Sequence, residues 1–454
     1  MKIKPQLNTA LFLSLFLIAQ VSAQETKTAS KELAEATTEE KNTDTDKDIK
    51  KAEEEAADAQ IEHPNEQNTA EEIATEAAEQ TPFMDISGNI SIEGRHFSHD
   101  GSYPGQENGG ISISLQPEFR KRWDNDRKSF TFIPFYRWDD KDDERTHGDI
   151  RQLDSIVAQG DWEYQLGISK VFWGVTESQH LVDIINQTDS VENVDGEDKL
   201  GQPMLRVSRI FDNGSIGLYV LPYFRERTFP GSAGRLRSPL VVDTDNPLYE
   251  SDDEEKHIDY ALRWNHTFDD IDLGLSYFDG TSRKPELQLN GNKLTPLYRQ
   301  IQQVGLDFQY TSESWLWKLE ALRRENSDTG YNAAVGGFEY TFVGINDSSA
   351  DLGAIAEYHI DSRDELATTP FQNDVFLGAR FTLNDAQSTE LLAGGVFDLD
   401  NNSKSFRVEA SRRIGDNVKV SLEAQAITST DTDDRILHSL RTDDFIQLEI
   451  QRFF

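Results

Sequence analysis

One stretch gathers side chains able to handle ions. Past Trp173-Gly174 the chain carries Glu177, His180, Asp183, Asn186 and Asp189, mixed with the apolar Leu181, Val182, Ile184 and Ile185. Such a segment can lay its apolar side on a wall and turn its carboxylates toward solutes. Carboxylates grouped in confined water favour cations. Basic residues elsewhere, Arg120, Arg122, Arg206 and Arg209, could oppose them and hold an anionic solute instead. The residue types leave that choice open. They also leave open a loop that merely caps what lies beneath it.

Catalysis needs more than this. A nucleophile requires a base, and the base an orienting partner. The nine histidines are scattered, and the nearest arrangement, His359 with Asp361 on the same face, reads most simply as rim polarity. With no cysteine, thiolate nucleophiles, thiolate metal sites and a lipidation anchor are ruled out. No glycine-rich phosphate loop and no EF-hand spacing occur. The expectation is no enzyme, no cofactor and no metal site. A net charge of −37 repels nucleic acid and steers cations.

The elements that must position these residues are strands. Ile86, Gly88, Ile90 and Ile92 alternate with Ser87, Asn89, Ser91 and Glu93, and the same period of two recurs along the chain to its end. About 18 such segments of roughly 10 to 14 residues can be read, longer than the 5 or 6 of an average soluble strand. A mean hydropathy of −0.63 with 10% aromatics and no long apolar run excludes a helical membrane protein. It leaves a barrel, where only every second residue meets lipid. Connections support this. Gln159-Gly160-Asp161, Asp212-Asn213-Gly214 and Asp269-Asp270 are tight turns, whereas residues 139–148, 173–202, 225–255, 282–298 and 429–440 are long and polar.

The expected fold is therefore all-β. It is a transmembrane antiparallel up-and-down barrel of about 16 to 18 strands, wide enough for a watery lumen. Taking apolar positions as lipid-facing leaves Arg120, Arg122, Arg206, Arg263, Lys318, Glu320, Arg324, Arg407 and Glu409 on the lumen wall. Unpaired dry charge is costly, so these need water or partners. Salt-bridged filling of a closed barrel is the alternative.

Three regions follow. Residues 1–23 have a basic start, an apolar run and Val21-Ser22-Ala23, as in a cleaved signal peptide. Residues 24–81 hold 18 acidic and 6 basic residues and no aromatic, which predicts a disordered periplasmic leader. Residues 82–454 form the barrel. Acidic outer loops such as residues 139–144 and 252–255 read as solvated. Bridging to lipopolysaccharide through divalent cations is the other reading.

Two resemblances sharpen this. The last strand, with Ile446, Leu448 and Ile450 on one face and Phe454 at its end, resembles the C-terminal insertion signal of bacterial outer-membrane barrels. The order Trp-Gly-x-x-Glu followed by Leu-Val-Asp-Ile-Ile-Asn, within residues 161–230, resembles a family of porin-like outer-membrane proteins of unassigned function. That family usually ends the motif Asn-Pro-x-Asp, where this chain has Asn186-Gln187-Thr188-Asp189. The resemblance implies a Gram-negative outer membrane, transport of small solutes and a third outer loop, residues 173–202, folded into the pore. Barrel-assembly machinery, outer-membrane lipid and lipopolysaccharide are the partners expected. The reading also admits a homo-oligomer and a periplasmic partner of residues 24–81. The competing function is a non-conducting barrel that anchors an export or envelope-assembly partner.

Overall fold

The computed structural model describes residues 84–428 and 430–454. The expected signal peptide and acidic leader lie outside the described residues.

The first half of the chain contributes β1 (Met84–Phe97), β2 (Gly109–Trp123), β3 (Lys128–Asp139), β4 (His147–Gln159), β5 (Trp162–Ser169), β6 (Gln202–Phe211) and β7 (Gly214–Leu221). Then come β8 (Leu248–Tyr249), β9 (Asp259–Phe268), β10 (Ile271–Thr281), β11 (Glu286–Asn290), β12 (Lys293–Tyr298), β13 (Gln300–Ser312) and β14 (Trp315–Asn326). The last are β15 (Gly330–Phe342), β16 (Asp351–Asp361), β17 (Asn373–Thr382), β18 (Glu390–Asp398), β19 (Lys404–Ile414), β20 (Val418–Thr428) and β21 (Phe445–Phe453). All but β8, β11 and β12 join one 18-stranded antiparallel sheet. Each strand pairs with its neighbours in sequence, and β21 pairs with β1 from Asn89↔Phe453 to Phe97↔Phe445. The sheet therefore closes on itself as an up-and-down barrel, and closure removes its edges.

Side-chain exposure follows the period of two. On β21, Ile446, Leu448 and Ile450 are exposed at 58%, 46% and 48%, while Gln447, Glu449 and Gln451 are buried. The same inversion holds for Ile90 and Ile92 against Asn89, Ser91 and Glu93. A water-soluble sheet hides its apolar face. This one shows it and hides the charges, the distribution of a barrel whose outer solvent is lipid.

Turns at one end are mostly short, with residues 343–350 and 383–389 the longer ones. Gly160 takes φ 59° between β4 and β5, a left-handed position glycine accepts without strain. Connections at the other end are mostly long. The β14–β15 connection departs from that rule with three residues, because the Asn326 side chain accepts from Asp328 N (2.9 Å) and Thr329 N (2.6 Å) and closes a local turn. Above the barrel, β8, β11 and β12 form a separate small sheet. It ties residues 222–258 to residues 282–299 through Leu297↔Leu248 and Tyr298↔Tyr249.

Candidate functional site

Residues 170–201 leave β5 and return to β6 inside the barrel. The apolar stripe explains why. Val182, Ile184 and Ile185 are fully buried against Met204, Tyr219, Ala261, Phe278 and Ile301, inward side chains of β6, β7, β9, β10 and β13. Leu181 packs on Leu322, Ala333 and Val335 of β14 and β15. Burial of four aliphatic side chains stabilises the inward course by about 1.5–3 kcal/mol each, less the ordering of the loop.

Wall carboxylates then fix the backbone. Glu320 on β14, wholly buried, accepts from Val175 N (2.7 Å), Thr176 N (3.0 Å), Thr176 Oγ1 (2.8 Å) and Val182 N (3.1 Å). Glu357 on β16 accepts from Glu177 N (2.7 Å) and Ser178 N (2.9 Å). Asn186 draws the ends of the loop together: Oδ1 accepts from Val171 N (2.8 Å), and Nδ2 donates to Ser169 O and Leu200 O (2.9 Å each). Arg283 donates to Ile185 O from Nε (3.1 Å) and Nη2 (3.0 Å). The bonds to Glu320 and Glu357 and from Arg283 are charge-assisted, those of Asn186 are neutral amide bonds, and all are buried, so that each partner needs the other.

The loop's own charges meet wall charges right round the ring. Glu177 pairs with Arg380 of β17 (2.5 Å) and Lys318 of β14 (3.8 Å). Asp183 is the exception, pairing within the loop with Lys199 (3.0 Å). Asp189, fully buried, meets Arg151 of β4 (2.7 Å), His147 (3.2 Å) and the Thr228 hydroxyl (2.8 Å). Glu192 meets Arg137 of β3 (2.9 Å), and Asp195 meets Arg407 of β19 (2.5 Å). His180 stands 4.0 Å from Glu320 and 3.9 Å from Glu197, with Phe172 edge-on at 4.7 Å. Burial pushes its imidazole down, but Glu320, Glu197 and Asp183 outweigh that and hold its pKa up at about 9.

The remaining wall residues divide. Arg206 binds Glu163, and Arg263 binds Asp307 through two bonds (2.5 and 2.9 Å). Both line a cavity of about 320 Å³ under the first residues of the loop, with Glu163, Phe172, Trp173 and Tyr219. Arg324 donates to Gln303. Arg407 reaches Glu409 (2.7 Å) and Glu423 (2.6 Å) as well as Asp195. It is the cation among the carboxylates of Asp195, Glu409 and Glu423, which lie within 4.8 Å of one another. Arg120 binds Glu118, and Arg120 and Arg122 are exposed at the turn end of β2. Arg209, three positions from Arg206, lies on the opposite face over the rings of Trp162 and Phe211. It therefore does not join Arg206 on the lumen wall.

Sequence reading missed Arg137, Arg151, Glu357 and Arg380. Arg137 was legible in principle, since it alternates with exposed Tyr136 and Trp138. Asp142 also differs from its expected solvated state: it is buried and accepts from Gly231 N (3.1 Å). The histidine singled out, His359, is buried with Nε2 2.8 Å from Ser178 Oγ. Ser178 Oγ donates to the Glu357 carboxylate, so His359 donates to Ser178 rather than taking its proton. That direction suits anchoring the loop and is opposite to activating a nucleophile.

The fold and this interior define a closed β-barrel whose lumen is crossed by its third long connection. No protein-family model matches the chain, and no curated protein sequence matches it. Among solved structures, two mutants of the Rhodopseudomonas blastica porin are 12% identical over 82% of this chain and 100% of theirs, each with a TM-score of 0.40. A structure described as "Asymmetric conductivity of engineered proteins" gives the same figures. A likeness that distant bears on neither substrate nor site.

Proposed function

We propose that the chain is a porin-like channel of a Gram-negative outer membrane, passing small solutes through a watery lumen narrowed by residues 173–202. The observation that carries this is the inverted barrel itself: an apolar outer surface, charged side chains inside, and a charged loop within. On this reading Glu177, His180, Asp183, Asn186 and Asp189 border the constriction. Arg206, Arg263, Lys318, Glu320, Arg324, Arg407 and Glu409 line the wall beside it, and Arg120 and Arg122 stand at its inner end. Ile446, Leu448, Ile450 and Phe454 serve as the insertion signal for the barrel-assembly machinery. Residues 1–23 direct export, and residues 24–81 are a periplasmic leader.

The density of ion pairs between loop and wall favours a second reading, a non-conducting barrel that anchors a periplasmic partner through residues 24–81. Planar-bilayer recording of the purified full-length protein separates them. Discrete conductance steps that scale with salt support the channel. A silent bilayer, with folded protein shown to be inserted, overturns it in favour of the anchor.

A further inference from the structure

The connection between β7 and β9, residues 222–258, also leaves its own side of the barrel. It starts beside the inner loop, where Arg225 reaches Asp149 Oδ1 (2.6 Å) and Gly201 O (2.8 Å). It then travels to the closure seam, the tops of β1 and β21, six strands round from β7. There Arg235 donates from Nε to Asp443 Oδ1 (2.7 Å) and from Nη2 to Thr442 O (2.6 Å). Its guanidinium lies 4.2 Å from the Phe97 ring. The next residue completes the grip: Leu236 N donates to Asp443 Oδ2 (3.2 Å), and its side chain packs on Phe97 and Phe445. The chain then returns, and Asp243 N donates to Leu294 O (2.7 Å) beside the small outer sheet.

Two features mark this grip as more than packing. Leu236 takes φ 59°. A leucine is strained in the left-handed region, and such strain persists only where the surroundings over-determine it. Here the bidentate Asp443 carboxylate holds both the Arg235 side chain and the Leu236 amide. The segment just before is Gly231-Ser232-Ala233-Gly234, where Gly231 N donates to the Asp142 carboxylate (3.1 Å) and Gly234 O accepts from Gln106 Nε2 (2.7 Å), so it too is held by polar bonds. A strained tip held in place by polar bonds, from Asp443 at Arg235 and Leu236, from Asp142 at Gly231 and from Gln106 at Gly234, has two states available: seated, or released into water.

We propose that residues 222–258 are a strap over the outer mouth of the lumen, and that the Arg235–Asp443 clasp at the β1–β21 seam gates entry. This rests on the channel reading. Seated, the strap spans the mouth from β7 to the seam. Released, the tip beyond Thr228 frees the mouth, while residues 225–228 stay bonded to the inner loop through Thr228 and Asp189 (2.8 Å) and through Arg227 and Ser190 (2.7 Å), and that loop keeps its wall contacts.

The test uses the full-length chain in planar bilayers. Arg235→Ala and Asp443→Asn each remove a charge-assisted bond, so the open-time fraction should rise about tenfold for either. A reversible lock provides the opposite arm. A β-carbon at Gly105 would lie 3.9 Å from Ala233 Cβ, within disulfide reach. The chain has no other cysteine, so Gly105→Cys with Ala233→Cys makes a single bridge. Gly105→Cys alone is the control, because Gly105 sits at φ 89°. Oxidation should silence the double variant, and reductant should restore it. Should Arg235→Ala fold poorly, the oxidised and reduced double variant still decides the matter. Conductance equal in wild type, clasp variants and both redox states would overturn the gate while leaving the channel standing. A bridge that forms, with no conductance in any variant, would overturn the channel reading and make the strap a fixed cap.

Discussion

Glu177 illustrates how a lumen charge takes its meaning from its partners. Burial would raise its carboxyl pKa, but Arg380, Lys318 and His180 hold it below the usual carboxylate range. The stabilisation from those pairs is present above the unfolded value and lost as pH falls through the lowered one. Glu177→Gln leaves Arg380 with Glu339, at 3.4 Å, as its remaining ion-pair partner among the described residues. Breaking one side of a buried pair costs about 3 kcal/mol, readable as a lower denaturation midpoint in detergent. On the channel reading the uncovered guanidinium should also shift the reversal potential in a salt gradient toward anions. Asp252→Asn with Asp253→Asn, both exposed on the outer connection, is the control and should shift it less. Equal shifts from both would mean that diffuse surface charge governs permeation. Screening should shrink the local effect near 1 M salt, where the Debye length is about 3 Å.

The loop at residues 170–201 is held as an element by a stripe and by charge, and the two respond to different perturbations. The stripe is indifferent to pH. His180 is not. Its pKa is raised to about 9 by the carboxylates around it, from about 6.5 for a histidine in water. A raised histidine contributes its full stabilisation below about pH 6.5 and loses it as pH climbs through about 9. The contribution at stake is on the order of 3 kcal/mol. Raising the pH from 7 to 10 should therefore loosen the loop and increase its proteolysis in folded barrels. His180→Gln should flatten that dependence. An unchanged pH profile in the variant would assign the loosening to other groups.

At the scale of the molecule, one seam makes the barrel. Phe454 exchanges backbone bonds with Gly88 in both directions (3.0 Å each), and Phe453 N donates to Asn417 O (2.7 Å). An unclosed sheet would leave two open edges beside lipid, where each unsatisfied backbone group costs several kcal/mol. Deleting Phe453 and Phe454 should abolish the heat-modifiable folded form and sharply lower outer-membrane yield. Normal folding of the truncated chain would show that closure nucleates elsewhere on the seam.

Strand positions, inward and outward faces and the tight turns were legible because each depends on neighbours within a few residues. Ile446, Leu448 and Ile450 face out for the same local reason that Gln447, Glu449 and Gln451 face in. The same reasoning put Lys318, Glu320 and Arg407 on the wall and gave the 173–202 loop an apolar side that could lie against it, with a mere cap left open. It did not say which charge meets which. Glu177 and Arg380 lie 203 positions apart, and Arg137 and Glu192 lie 55 apart. Those pairings depend on which strands the closed ring sets across from the loop. Asp142 reads as a solvated loop acid until residues 222–258 arrive over it. Arg235 carries no local sign of Asp443. Period and turn chemistry are properties of the chain, whereas the partners of a buried charge are set by ring closure, which brings distant residues face to face across the lumen.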